Sequence, residues 1–114
     1  MSLAKRIAAK RAEEQRGFLD VEEWGEGDQP LRLYFTTVSA RDMEQIQRKH
    51  KDFINNPTMS AMIDMIIRKC ESDAGESVFT LEDKPILMGE PINLIAKVFG
   101  SILESVTVEE HEKN

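Results

Sequence analysis

A chain of 114 residues with 40% hydrophobic and 32% charged side chains has the size of one domain and the balance of a globular protein rather than a disordered one. Its net charge of −6 argues against a general nucleic-acid binder, and the single Cys70 excludes an intramolecular disulfide and fits a reducing, cytosolic compartment. No apolar run approaches the roughly 18 residues of a membrane span, and the basic N-terminus lacks the apolar stretch of a secretory signal, so neither insertion nor export by that route is expected.

Charge is segregated along the chain. Residues 1–16 carry Lys5, Arg6, Lys10, Arg11 and Arg16 against Glu13 and Glu14, whereas residues 17–31 carry Asp20, Glu22, Glu23, Glu26 and Asp28 with no base. Such segments attract each other or two different partners. In "LAKRIAAKRAEEQR" the residues Leu3, Ile7, Ala8 and Ala12 stand at helical spacing, with Gly17 as a stop, which predicts a basic helical arm over 1–17. With so little to bury, the arm is either a solvated terminus or a helix ordered against a partner or neighbouring subunit.

The period then changes. Residues 18–24 and 31–38 read as strands of a hairpin spanning 18–38, because Leu31, Leu33 and Phe35 alternate with Arg32, Tyr34 and Thr36. "GEGDQP" between them predicts a loop longer than the tight two-residue kind. Ser39 offers an N-cap, with Asp42 in the first turn, for an amphipathic helix over about 40–54 whose apolar side runs through Met43, Ile46, His50, Phe53 and Ile54.

Asn56 and Pro57 predict a fresh start for a helix over 57–71, with proline at its first position. That helix is apolar nearly all round, so it should be central, and Asp64 within it must face out or find a partner. Thr80 and Asp83 resemble a cap for a short helix over 81–88 stopped by Gly89. A last helix over 91–106, opened by Pro91, carries a stripe of Ile92, Ile95, Phe99, Ile102, Leu103 and Val106, with Leu94 and Val98 on its flank. Residues 107–114 read as a polar tail. The expected fold is mainly α with a small β-hairpin: arm and hairpin, then a compact helical bundle over one domain, 18–106.

Few constellations carry chemistry. His50, His111 and Cys70 form no set of metal ligands in sequence, no glycine-rich phosphate cradle follows a strand, and paired acids such as Glu22-Glu23 lack the apolar surroundings that would tune a catalytic carboxyl. The expectation is a non-enzyme without cofactor or metal. Met59, Met62 and Met65 repeat every three residues, and methionine serves both as core filler, the favoured reading here, and as lining for adaptable binding surfaces. Trp24, beside Gly25, either caps the small core or stands out as a contact anchor.

The stretch "VEEWGEGDQPLRLYFTTVSARDMEQI" resembles the start of the tail assembly chaperones of long-tailed (siphovirus, lambdoid-type) bacteriophages, with a V-x-x-W-G turn, a basic-aromatic strand and a Ser/Thr-Ala-x-x-[DE] helix start. "VFTLEDKPILMGEPINLIAKVFGSILE" is similar to that family's closing segment, so the resemblance covers residues 18–106 and leaves the basic arm outside. The chain departs from the family in "WGEGDQP", which is longer than the usual W-G-G turn. The resemblance implies a protein that binds the tape measure protein, keeps it soluble and helps recruit tail tube subunits, working in the cytoplasm of the infected host and leaving before the virion is finished. Self-association is compatible with this role, and no membrane or nucleic acid is required.

On that reading Trp24, Glu26, Asp28, Tyr34, Met59, Met62 and Met65 are the candidate partner-binding residues. Family members are often also made in a longer form by a ribosomal slip, and "EKN" is encodable as GAA AAA AAY, which contains a slip heptamer. The competing expectation is a small adaptor or regulator that binds nucleic acid through residues 3–16.

Overall fold

The computed structural model describes residues 2–113, with side chains over 2–104. The element order is α1 (Leu3–Glu13), β1 (Gly17–Glu26), β2 (Gln29–Phe35), α2 (Ala40–Lys49), α3 (Met59–Lys69), a 3-10 turn (Leu81–Asp83), α4 (Lys84–Met88) and α5 (Ile92–Lys113). A mainly helical α+β fold is what the residue pattern predicts. The last helix, expected to end at 106, continues to Lys113 through the expected polar tail, whose side chains lie outside those described.

β1 and β2 pair antiparallel, with Leu19 opposite Leu33 and Val21 opposite Leu31. Alternation sends these residues and Phe35 to the core, where Val21, Leu33 and Phe35 are buried. The opposite face carries an interleaved ladder. Arg32 Nε lies 2.7 Å from Asp20 Oδ1, its guanidinium sits 4.2 Å from the Phe18 ring, and Arg16 covers the Tyr34 ring at 4.5 Å.

The hairpin loop is tighter than expected. Glu26 pairs with Gln29, leaving only Gly27 and Asp28 in the turn, and Gly27 at φ +57° takes the left-handed conformation that the first position of a II′ turn requires. The length that made the loop look long is absorbed inside β1, where the register slips between Val21 and Glu26. Residues 22–25 bulge there against Pro30. A Cβ on Gly25 would stand 1.9 Å from Gln29 O and 2.7 Å from Pro30 Cα, so only glycine fits.

α2 starts as its cap predicts: Ser39 Oγ accepts from Asp42 N at 3.1 Å and Asp42 Oδ2 accepts from Ser39 N at 2.9 Å. It ends at Lys49, five residues short of the expected 54. His50 leaves helical geometry at φ −126°, Phe53 turns into the core, and Ile54 is 66% exposed. α3 begins at Met59 rather than Pro57, because Thr58 supplies the cap, its Oγ1 accepting from Ala61 N at 3.1 Å. It stops at Lys69 since Cys70 becomes extended and Glu71 bridges β2, exchanging backbone hydrogen bonds with Tyr34 at 2.9 and 2.8 Å.

α3 is the central element. Ala61, Ile63, Met65, Ile66 and Cys70 are at most 1% exposed and pack with Leu94, Ile95, Val98, Phe99 and Ile102 of α5 and Leu87 of α4 in one core. In α5 the buried stripe therefore runs through the flank residues Leu94 and Val98, while Ile92 and Leu103 are exposed, and Val106 lies outside the described side chains. α5 begins at Ile92, with Pro91 O accepting from Leu94 N at 3.1 Å and Ile95 N at 3.2 Å, so the proline precedes the helix rather than opening it. The 3-10 turn and α4 match the expected short helix, and Thr80 N donates to Asp83 Oδ2 at 2.8 Å.

Candidate functional site

Two buried carboxylates organise one side of the bundle. Asp42 is 6% exposed and receives Lys69 Nζ at 2.8 Å and Arg68 Nε at 2.7 Å. Burial alone would raise its pKa, but donation from Lys69, the Ser39 N–H and Arg68 holds it at about 2. Lys69, itself buried, also reaches Thr36 Oγ1 at 2.8 Å and Thr37 O at 3.2 Å, which ties α3 to the segment entering α2.

Asp64, 8% exposed, finds the partners its place in an apolar helix demands. His50 Nε2 lies 2.6 Å from Oδ2, Lys49 Nζ 3.7 Å from the same atom, and Lys84 Nζ 2.8 Å from Oδ1 in an ion pair whose geometry falls short of a hydrogen bond. Burial opposes its ionisation, yet Lys84 and His50 keep its pKa below the usual carboxylate range. His50 is thus the core-edge imidazole, seated by this carboxylate. Cys70 is buried and its thiol is pushed up to about 12 by burial and by Glu71, which leaves it unreactive at neutral pH.

Beside Asp64 opens a groove of about 610 Å³ between α2, α3 and the strap 77–81. Ile46, Ile67, Phe79 and Leu81 supply an apolar lining, and Lys49, Arg68, Gln45 and Thr80 form its polar rim. A concave apolar surface with a few charged groups at the margin suits the apolar face of a helix or an extended peptide. Among the described residues no group of His, Cys, Asp and Glu is placed to hold a metal ion, and no helix is long and apolar enough to cross a membrane.

The residues expected to bind partners do not gather into one site. Trp24 is half-buried: its ring meets Phe79 edge to face at 5.7 Å and its indole N–H donates to Glu90, so it clamps the hairpin to the body behind the groove wall. Glu26 and Asp28 are exposed at the hairpin tip, and Tyr34 is held at the other end by Arg16 and Phe18. Met65 is 0% exposed, which removes it from any contact surface, while Met59 and Met62 are half-buried against the core. Sequence reasoning missed the groove residues Gln45, Ile46, Lys49, Ile67, Arg68 and Phe79. One signal was present: Val78-Phe79 with Leu81 is an apolar strip between a turn and a helix cap, too short to be an element of its own.

Compared with family models, with curated proteins and with solved structures, the chain has no match.

Proposed function

We propose that this protein is a tail assembly chaperone of the long-tailed phage type, and that its client, an amphipathic helical segment of the tape measure protein, docks in the groove between α2, α3 and the strap 77–81. The observation that supports this reading is the groove itself: a concave opening on a small acidic body, floored by the core residues Ile46 and Ile67 and edged by the half-buried Phe79 and the exposed Leu81. A client helix seated there would cover Leu81 and the exposed part of Phe79 over a floor of Ile46 and Ile67, which keeps that helix out of aggregates, while the net charge of −6 keeps the complex dispersed. Recruitment of tail tube subunits, action in the host cytoplasm and departure before the virion is complete belong to the same proposal.

The test is co-expression with the longest coiled-coil-like protein encoded just downstream. Wild type is expected to bring that protein into the soluble fraction and co-purify with it. Gln45→Arg, which projects a long charged side chain into the groove from an exposed position of α2, is expected to fold and to lose the complex. If wild type neither solubilises nor retains the client, or if Gln45→Arg behaves as wild type, the groove reading is wrong.

A further inference from the structure

α1 is a formed helix with nothing to cover it. None of its residues is buried, Leu3 is 63% and Ile7 56% exposed, and, with Arg11 paired to Glu14, Lys5, Arg6 and Lys10 stand against Glu13 alone. Eleven residues of this kind are marginal in water, so the helix gains from a surface to lie on. A surface of matching character exists at the far side of the molecule. Leu81, Ile86, Met88 and Ile92 are each at least 50% exposed along the edge made by the 3-10 turn, α4 and the start of α5. Glu82, Asp83 and Glu90 lie in the same stretch, and its one base, Lys84, is already paired with Asp64.

The arm of one molecule does not cover its own edge, since Leu3, Ile7, Leu81 and Ile86 all stay more than half exposed. Glu14 is hydrogen-bonded by Thr37, and Arg16 is held by Glu71 at 2.8 Å, Ser72 O at 2.9 Å and Asp73 O at 2.9 Å, so the arm leaves from the base of the hairpin. The edge lies toward the other end, where Trp24 binds Glu90. From Arg16 to Trp24 the hairpin runs roughly 20 Å, six steps at the rise of extended chain once the bulge is discounted. Helical rise places Ile7 only about 10 Å beyond Glu14.

We propose that α1 of one copy docks on the Leu81–Ile92 edge of a second copy, Leu3 and Ile7 covering its apolar side chains while the basic residues face Glu82, Asp83 and Glu90. Arm and edge are different surfaces, so the contact is heterologous and repeats into a chain or a closed ring. It leaves the floor of the groove, Ile46 and Ile67, uncovered and shares only Leu81 with the groove's rim, so it is tested on the protein without a client.

The experiment is sedimentation velocity on the full-length protein and on two variants, Ile7→Asp and Ile86→Asp, with circular dichroism as the check that each retains its fold. Both positions are more than half exposed, so neither change disturbs the core. Wild type is expected to assemble with increasing concentration, and each variant to sediment as a monomer. Mixed in equal amounts, the variants are expected to form a dimer and nothing larger, because the first keeps a working edge and the second a working arm. Wild type that stays monomeric at about 100 μM, variants that still assemble, or a mixture that stays monomeric would each overturn the proposal.

Discussion

At the residue scale, the most consequential side chains are two carboxylates buried at the edge of a helical core. Asp42 has a folded pKa of about 2 against an ordinary value of 3.8, so its contribution to stability is complete above about pH 4 and is lost as pH falls through 2. Asp64 is shifted in the same direction. Urea midpoints measured between pH 7 and pH 2 should therefore fall below pH 4, Asp42 accounting for about 2 kcal/mol. Asp42→Asn removes that part of the dependence and, by leaving Lys69 buried without its counter-charge, is expected to cost about 3 kcal/mol at neutral pH. The need of Asp64 for partners was legible from an acid in an apolar run. Their identity was not, since His50, Lys49 and Lys84 arrive from two other elements and only the packing brings them together.

At the element scale, the hairpin carries the sharpest constraint. Gly25→Ala drives a Cβ into Gln29 O and Pro30 Cα, both backbone atoms, and is expected to destabilise by about 1–3 kcal/mol, read as a lowered melting temperature. The same change should weaken the seating of Trp24, its neighbour in the bulge. Strands, the capped start of α2 and the central place of α3 were legible because each is a local pattern: alternation, Ser39 with Asp42, an apolar run; the starts of α3 and α5 fall one or two residues after the prolines expected to open them. Element ends were less so. α2 stops at Lys49 because His50 turns to Asp64 and Phe53 folds inward, and α3 stops at Lys69 because Glu71 is drawn into a bridge with Tyr34. The bulge was invisible for the same reason, as spacing alone does not distinguish residues spent in a loop from residues spent in a strand. The groove escaped too, being lined from 45–49, 64–68 and 77–81, none of which shows a concavity by itself.

At the scale of the whole molecule, body and arm are energetically separate. Among the described residues, removing 2–13 takes away no buried side chain, so the body's urea midpoint should move by no more than about 0.5 kcal/mol equivalent. If the arm proposal holds, the same truncation abolishes concentration-dependent assembly. The clamp between hairpin and body has a further use. Trp24 is the only tryptophan, and the ring it touches, Phe79, is also a wall of the groove. The molecule thus carries its one indole at the seam where a ligand would press, so on the groove proposal emission excited selectively at tryptophan is expected to shift on occupancy in the unlabelled wild-type protein, separately from any change in helix content.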